Sequence, residues 1–301
     1  MASIAAHLIN PLLRFQVKRK LVKASTAQDI RKAFGAKLPV PRGVRFTEAV
    51  IGGVGGEWAE PADGAAPAMT LLYLHGGAYI ACSPRTHRPI TGGYAKRGVR
   101  VFAADYRLAP EHPFPAAVED GLTAYRGLLD QGVAPERLSI GGDSAGGGLA
   151  LAVLLKAKAE GVPLPARVVL FSPWVDLLGT GASAVENKDR DPMLDGSKIG
   201  DGAAMYLAGA DADDPYASPL LGDLAGLPPV LTHVGEREVL RDDSVRLDEK
   251  IRAAGGVSLL RVWPVVAHVW PLMHGILPEA RHTLDESAAF IRAAGVAPSP
   301  A

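Results

Sequence analysis

Residues 138–159 read LSIGGDSAGGGLALAVLLKAKA, and this stretch decides the fold. It begins with an apolar segment, 138–140, that is typical of a buried strand, and it ends with Ala145–Ala159, whose many Ala and Leu residues favour a helix. Between them, residues 142–146 (GDSAG) have the form Gly-x-Ser-x-Gly. A strand, a sharp turn and a helix around such a serine form a nucleophile elbow, in which glycines let the backbone bend. The stretch predicts a nucleophilic Ser144 at the top of a sheet, and the alternative is an ordinary glycine-rich turn.

Apolar strand candidates and helical patterns alternate on both sides of this stretch. The further strand candidates are residues 71–74, 99–104, 168–171, 230–234 and 259–263. Between two of them, Val118, Leu122, Tyr125 and Leu129 recur at helical spacing. Strands that are apolar on both faces and separated by helices indicate a mostly parallel sheet that is covered on both sides. We therefore predict the α/β class, with a central, mostly parallel sheet flanked by helices.

Three segments depart from this alternation. Residues 52–56 and 61–67 are rich in Gly and Pro, which predicts turns. Residues 176–220 are rich in Asp, Gly, Ala and Pro and separate two strand candidates. An insertion at that point should lie above the carboxyl ends of the strands, where such sheets bind ligands. We therefore expect N-terminal cap helices in residues 1–45 and a catalytic domain in residues 46–301, with a cap insertion at about 176–220.

The N-terminal segment shows a helical pattern of its own. Five residues fall roughly on one face of the helix: Ile4, Leu8, Leu12, Phe15 and Arg19. Residues 15–20 (FQVKRK) add a basic edge beside this face. We interpret this face as packed on the protein's own domain, because Pro11 interrupts the pattern. The alternative is a helix that lies on a membrane surface.

Composition and charge exclude several kinds of partner. Lys plus Arg and Asp plus Glu number 32 each, so no basic excess favours nucleic acid. No stretch of ~18 uncharged apolar residues occurs, so we expect no stable membrane insertion. Cys82 is the only cysteine, which rules out an intramolecular disulfide and agrees with a reducing, cytoplasmic location. The acidic clusters lack the spaced ligands of a calcium loop, so we expect no metal. These features agree with a small-molecule substrate, and they are compatible with a homodimer.

A glycine turn follows the strand candidate at residues 71–74. The turn reads His75-Gly76-Gly77 and continues into Ala and Tyr. Backbone N–H groups that are turned into a site can stabilise an oxyanion, and glycines allow that geometry. We predict the N–H groups of Gly76 and Gly77, with that of Ala145, as the donors. His75 precedes the turn, so a hydrogen bond that braces the loop suits it better than a catalytic role.

These two motifs, together with residues 106–116 (YRLAPEHPFPA), resemble the bacterial hormone-sensitive-lipase-like esterases. The resemblance runs from about Leu71 to Ile291. It implies an α/β-hydrolase fold, a helical cap and a Ser–acid–His triad. It also implies hydrolysis of carboxylic esters with short to medium acyl chains, without a cofactor.

The resemblance assigns a role to three side chains. The family's nucleophile falls on Ser144, and its general base falls on His268, at the end of a Trp-Pro-x-x-x-His stretch that starts at Trp263. The family's acid, which orients the base, falls on Glu238 in Gly-x-x-acid-x-Leu-x-Asp, and Asp242 is the alternative. The chain order Ser, acid, His is the order expected for this fold.

The resemblance also bears on the rest of the site. Gly76 and Gly77 match the family's oxyanion glycines, and Ala78 stands where a third glycine is usual. Tyr79 and Asp143 are expected to contact the substrate.

Some alternatives stay open from the sequence. His274 is the one plausible rival to the predicted base. Two other functions are a catalytically silent binding module on the same fold and an amidase or acyltransferase that uses the same site, because fold does not fix function.

Overall fold

One eight-stranded sheet forms the centre of the protein in the computed structural model, which describes residues 3–35 and 38–294. Its strands are β1 (Val44–Ile51), β2 (Val54–Pro61), β3 (Met69–Leu74), β4 (Val99–Ala104), β5 (Leu138–Asp143), β6 (Arg167–Phe171), β7 (Val230–Gly235) and β8 (Ser258–Trp263). They lie in the order β1-β2-β4-β3-β5-β6-β7-β8. The pairs β1·β2 and β2·β4 are antiparallel and the other five pairs are parallel. The predicted, mostly parallel sheet is confirmed.

Helices cover both faces of this sheet. The α-helices of the described residues are α1 (Ile4–Leu13), α2 (Arg19–Lys23), α3 (Ala27–Phe34), α4 (Arg88–Ala95), α5 (Ala116–Asp130), α6 (Ala145–Ala159), α7 (Ser183–Glu186), α8 (Ile199–Leu207), α9 (Arg241–Ala253) and α10 (Pro278–Arg292), and a π-helical turn, Arg14–Lys18, joins α1 to α2. Along β3, Leu72 and Leu74 pack in one apolar cluster with α5 and α6. The alternate residues Leu71 and Tyr73 pack in a second cluster with α4 and α10. Both faces of the strand are therefore buried, as a sheet between two layers of helices requires.

The sequence did not predict the first two strands. β1 and β2 form a hairpin whose turn is Gly52-Gly53, with φ of 61° and 98°, and two-residue hairpin turns require such positive values. The turn predicted at residues 52–56 is therefore right only at its first two residues. The next glycines belong to β2, and Gly56 fits there because an added Cβ would lie 2.5 Å from the carbonyl oxygen of Ala103 in β4.

The start of α6 lies against the end of β3 because its first turn is made of glycine. An added Cβ on Gly146 would lie 2.1 Å from the carbonyl oxygen of Leu74 and 2.5 Å from that of His75, closer than real atoms approach. The rest of α6 is apolar on nearly all sides, and most of its residues are buried. This buried helix fixes the position of the residue that precedes it, Ser144.

Two segments form the cap. α1, α2 and α3 come from the N-terminal part of the chain, and α7 and α8 lie between β6 and β7, in the insertion predicted at about 176–220. Both segments contribute side chains to one cavity, which also receives the residue between β5 and α6. The cap therefore lies over the carboxyl end of the sheet, where ligands bind in folds of this class.

The N-terminal apolar stripe does not pack on the domain, so the favoured interpretation of it is wrong. The exposed fractions are 79%, 71%, 51% and 65% for Ile4, Leu8, Leu12 and Phe15. Pro11 lies inside α1 and does not end it. The helix packs through its opposite side, where Ala6 is buried and the Asn10 side chain donates to the carbonyl oxygen of Val265 (2.7 Å). None of the helices in the described part of the chain is long and apolar enough to cross a membrane.

Candidate active site

Ser144 lies at the turn between β5 and α6 in a strained backbone conformation. Its φ is 52° and its ψ is −124°, a region that non-glycine residues seldom occupy. Backbone hydrogen bonds hold it: its N–H donates to the carbonyl of Phe171 and its carbonyl accepts from the N–H of Trp174, both at 2.9 Å. The carbonyl also accepts from the N–H groups of Gly147 and Gly148 in α6. Ser144 lines the cavity, at a helix N-terminus where backbone N–H groups favour negative charge. This is the geometry of a nucleophile elbow.

Glu238 and His268 form a buried pair at the same cavity. The Nδ1 atom of His268 lies 2.6 Å from Oε2 of Glu238. The other carboxylate oxygen, Oε1, accepts from the Ser172 hydroxyl (2.7 Å) and from the N–H of Gly235 (2.6 Å). The Nε2 atom of His268 is thereby left available on the side away from Glu238, and no hydrogen bond joins it to Ser144 among the described residues. Hydrogen bonds at active sites are often long before substrate binds.

Two opposing effects set the pKa of His268. Burial acts to lower it, but the hydrogen bond and the negative charge of Glu238, with the charge of Asp191, outweigh burial and raise the pKa above its ordinary value. Burial, followed by the charge of Glu238, also raises the pKa of Asp191. A raised pKa suits a group that must accept a proton from a hydroxyl.

Asp242, the alternative acid, does not contact the histidine. Its Oδ2 atom accepts from the N–H of Ser183 (2.8 Å), and its Oδ1 atom accepts from Nε of Arg241 (2.9 Å). The structure brings Glu238, and not Asp242, to His268.

Three buried side chains of the cap hold the loop that carries the acid. We call residues 236–240 the acid loop, and Ser183, Asn187 and Asp191 the cap clamp. Ser183 donates to the carbonyl of Val239 (2.9 Å), and Asn187 donates to two carbonyl oxygens of the loop (3.1 and 2.9 Å). Asp191 accepts from the N–H of Val239 (3.0 Å). The position of the acid therefore depends on the cap as well as on the sheet.

The predicted oxyanion donors need one correction. The N–H of Gly76 already donates to Oδ1 of Asp143 (3.1 Å), so it is not available to a substrate oxygen. Gly77 and Ala78 line the cavity, and no hydrogen bond in the described part of the chain uses their N–H groups. The N–H of Ala145, in the first turn of α6, is unpaired in the same way. The available donors are therefore at Gly77, Ala78 and Ala145.

Asp143 was expected to contact substrate. It lines the cavity, but its carboxylate is already hydrogen-bonded to other residues of the protein. Its carboxylate accepts from the Tyr73 hydroxyl (2.7 Å) and from the N–H of Gly76, and Nε2 of His87 lies 3.2 Å away. Burial acts to raise the pKa of Asp143, but the charge and hydrogen bond of His87, with that of Tyr73, bring it below its ordinary value. Asp143 thus ties the glycine turn to the elbow.

Tyr79 is not among the described residues that line the cavity, so its expected contact with substrate has no support from the structure. Ala78 and Tyr79 both have positive φ (57° and 61°), and the Tyr79 side chain is buried. Its ring stacks on Tyr206 of α8 with 3.8 Å between ring centroids. Tyr79 therefore links the glycine turn to the cap.

His75 and the rival base His274 were considered from the sequence, and His233 is a further buried histidine. His75 is buried and stacks on Tyr106 (4.4 Å between centroids), and burial lowers its pKa to about 3. His233 is buried in β7, where it accepts from the indole N–H of Trp263 (3.2 Å), and burial lowers its pKa to about 3. His274 is not among the described residues that line the cavity.

The cavity has a volume of about 220 Å³ and a largely apolar wall. Its apolar side chains from the cap include Leu13, Val17, Leu21, Ile30, Phe34, Met193, Leu194, Ile199 and Met205. Cys82 also lines it, and burial, followed by the charge of Asp143, raises the pKa of this thiol to about 12, so it stays protonated. Within the described ranges, no group of three or more His, Cys, Asp and Glu side chains could hold a metal ion.

Sequence reasoning missed Ser172 and the cap clamp. Ser172 follows the last residue of β6, and a polar residue at the carboxyl end of a parallel strand is a usable signal. The clamp residues lie in a segment rich in polar and small residues, where a buried side chain has no pattern that separates it from an exposed one.

Comparisons with known proteins agree with this fold and site. A family model described as α/β hydrolase fold matches residues 71–272. The chain is 43% identical to an acetyl-hydrolase of Streptomyces hygroscopicus, over 98% of both chains. It is 36% identical to an esterase of Acinetobacter venetianus, over 75% of both chains.

Solved structures show the same likeness over nearly the whole chain. EstE5 superimposes with a TM-score of 0.93 at 42% identity, covering 98% of this chain and 100% of that one. An esterase from the bacterial hormone-sensitive lipase family superimposes with a TM-score of 0.90 at 38% identity, covering 98% and 99%. The predicted fold and family are confirmed, and the chain belongs to the α/β-hydrolase family, among the esterases of the bacterial hormone-sensitive-lipase type.

Proposed function

We propose that the protein hydrolyses carboxylic esters with Ser144 as nucleophile, His268 as general base and Glu238 as the acid that orients the base. The observation that carries the proposal is the buried pair of His268 and Glu238, 2.6 Å apart, at the cavity that Ser144 lines. Because Glu238 accepts at Nδ1, Nε2 of the ring can take the proton of the serine. The carboxylate also stabilises the imidazolium that forms.

The reaction runs in two halves that mirror each other. The Ser144 oxygen bonds to the ester carbonyl carbon as its proton passes to His268. The bond to the leaving oxygen then breaks, and His268 returns the proton to the alcohol, which leaves an acyl-enzyme. Water repeats these steps on the acyl group and releases the carboxylic acid.

Three backbone N–H groups support the oxyanion of each tetrahedral intermediate. They belong to Gly77, Ala78 and Ala145, the donors that no other group occupies. One such donor is typically worth about 2.7–4 kcal/mol of transition-state stabilisation. Asp143 contributes indirectly, because it holds the turn before these donors through the N–H of Gly76.

The cavity favours small, apolar acyl groups. Its volume of about 220 Å³ is below the range of roughly 300–1,000 Å³ typical of drug-sized ligands. The cap supplies an apolar wall against which an acyl chain can pack. We therefore propose esters with acyl groups of roughly C4 to C8 as the preferred substrates.

A silent binding module is the less favoured function, because the base and its acid are both present and bonded to each other. A panel of ester and amide substrates separates hydrolysis of esters from amidase or acyltransferase activity. A cytoplasmic location and a homodimer stay predictions.

The nucleophile is the sharpest test of the proposal. Ser144→Ala should abolish hydrolysis of p-nitrophenyl butyrate, a compound with which EstE5 crystals have been soaked. A phosphonate probe should label Ser144, as located by mass spectrometry. Cys82→Ala changes the other nucleophile at the cavity and should keep both turnover and labelling. An active Ser144→Ala enzyme, or a label on another residue, would show that the nucleophile lies elsewhere.

A further inference from the structure

The N-terminal helices leave an apolar face in contact with solvent. Four side chains, here called the outer stripe, follow one another at spacings of three and four residues: Ile4, Leu8, Leu12 and Phe15. Each is more than half exposed, so the described part of the chain does not cover the stripe. A contiguous apolar surface of this kind marks an interaction site.

The same helices carry positive charge and no negative charge. The charged residues of positions 4–23 are Arg14, Lys18, Arg19, Lys20 and Lys23. Arg14 and Lys18 donate hydrogen bonds to carbonyl oxygens of residues 188–191 in the cap. Arg19, Lys20 and Lys23, here called the basic flank, are exposed and form no ion pair within the described residues. Residues 4–23 therefore carry five positive charges and no negative charge, although the whole chain has zero formal net charge.

The apolar and basic parts adjoin each other and the active site. The guanidinium of Arg19 lies 5.1 Å from the ring centroid of Phe15, so the flank begins where the stripe ends. The other side of the same helices lines the cavity through Leu13, Val17 and Leu21. One side of this helical segment therefore faces the nucleophile and the other faces solvent.

We propose that the outer stripe and the basic flank dock the protein on an anionic lipid surface, with the stripe among the acyl chains and the flank against headgroup phosphates. A helix that is apolar on one face and basic beside it lies in the plane of a membrane interface. A second copy of the chain fits this face less well. A twofold contact would use the same face of both copies, and residues 4–23 carry no acidic side chain that could pair with the other copy's basic flank.

Co-sedimentation of the full chain with vesicles tests the docking. Vesicles of phosphatidylcholine with phosphatidylglycerol should bind the protein, and vesicles of phosphatidylcholine alone should bind it much less. Binding should weaken as salt is added, because salt screens exposed charges. The triple variant Arg19→Gln, Lys20→Gln, Lys23→Gln should bind about 100-fold more weakly.

A second variant tests the apolar part. Leu8→Ser with Phe15→Ser should bind at least about tenfold more weakly, since two large apolar side chains no longer leave water on binding. Val50→Ser with Val257→Ser is the matched control, because both valines are exposed, Val50 in the edge strand β1 and Val257 just before β8, at the amino end of that strand. It should bind like the wild type. All variants should hydrolyse p-nitrophenyl butyrate without vesicles like the wild type, since none changes a cavity residue. If the serine variant melts early, the charge variant carries the test.

Four outcomes would overturn the proposal. In the first, the wild type does not sediment with anionic vesicles, and in the second it binds both kinds of vesicle equally. In the third, Leu8→Ser with Phe15→Ser leaves binding unchanged. In the fourth, sedimentation equilibrium shows a dimer that this double variant dissociates, while vesicles bind no protein. The last would make the face a contact between copies. Ester hydrolysis is measured separately, so its failure would count against the proposed function and not against docking.

Discussion

Replacing Glu238 by Gln should remove most of the turnover and keep the fold. The Oε1 atom accepts hydrogen bonds from Ser172 (2.7 Å) and from the N–H of Gly235 (2.6 Å), so the amide oxygen of the new residue will take that position. Its NH₂ group then lies where Oε2 was, 2.6 Å from Nδ1 of His268. Two donors cannot share a hydrogen bond, so Nδ1 must become the acceptor and the ring proton moves to Nε2. A ring protonated at Nε2 cannot take the proton of Ser144.

We expect kcat to fall by about 10²- to 10⁴-fold, or ~3–5 kcal/mol of transition-state stabilisation, with KM little changed. The assay is steady-state hydrolysis of p-nitrophenyl butyrate beside thermal melting of the same samples. Asp242→Asn is the matched control, because it removes the same charge four residues later, from a carboxylate that holds Ser183. It should keep kcat and lower the melting temperature. The reasoning is refuted if Glu238→Gln stays within about tenfold of the wild type, or if Asp242→Asn loses turnover.

Three further expectations concern pH and the cap. The pKa of His268 is raised above its ordinary value of ~6.5, and the base must be neutral to accept a proton. As the solution is acidified, kcat/KM should therefore fall with a midpoint above pH ~6.5. A midpoint below pH ~6 would contradict this expectation. His75 and His233 have a pKa of about 3 in the folded protein and ~6.5 in the unfolded chain. The stability that they contribute is therefore complete above pH ~6.5 and is lost as the pH falls towards 3. Melting temperatures that stay level over this pH range would contradict the expectation. Asn187→Ala removes two hydrogen bonds to the acid loop, so it should lower the free energy of unfolding by about 1–3 kcal/mol and also lower kcat. Tyr125→Phe is the control, because it removes one hydrogen bond to the carbonyl of Pro163, away from the acid loop and the cavity, and it should lower the free energy of unfolding alone. Equal kcat for the two variants would argue against the clamp.

The sequence predicted six of the eight strands because each contains a mainly apolar run, and five of them, β3 to β7, are buried on both faces. β1 and β2 lie at the antiparallel edge of the sheet, where β1 is largely exposed. β2 contains two glycines that resembled a turn. Gly56 must be glycine because β4 approaches it closely, a contact between distant parts of the chain that no local pattern reveals.

The site divides in the same way between local and distant contacts. The elbow at Ser144 has a local signature, because its glycines and the following helix are adjacent in sequence. Which N–H groups are free at the glycine turn depends on Asp143, 67 residues after Gly76, so the sequence chose one donor wrongly. The sequence also did not reveal that the ring of Tyr79 stacks on Tyr206, because Tyr206 lies in the cap, far along the chain.

The clamp also bears on how such an enzyme could be given a new specificity. Exchanging the whole insertion with that of a relative would remove the hydrogen bonds from Ser183, Asn187 and Asp191 that hold the acid loop. α8 supplies cavity side chains such as Met205, and none of the hydrogen bonds that reach the acid loop from the described cap residues starts in it. A graft limited to α8 that keeps Tyr206, the partner of Tyr79, would therefore alter which acyl groups fit while leaving the acid loop and the glycine turn in place, whereas a graft of the full insertion would change selectivity and rate together.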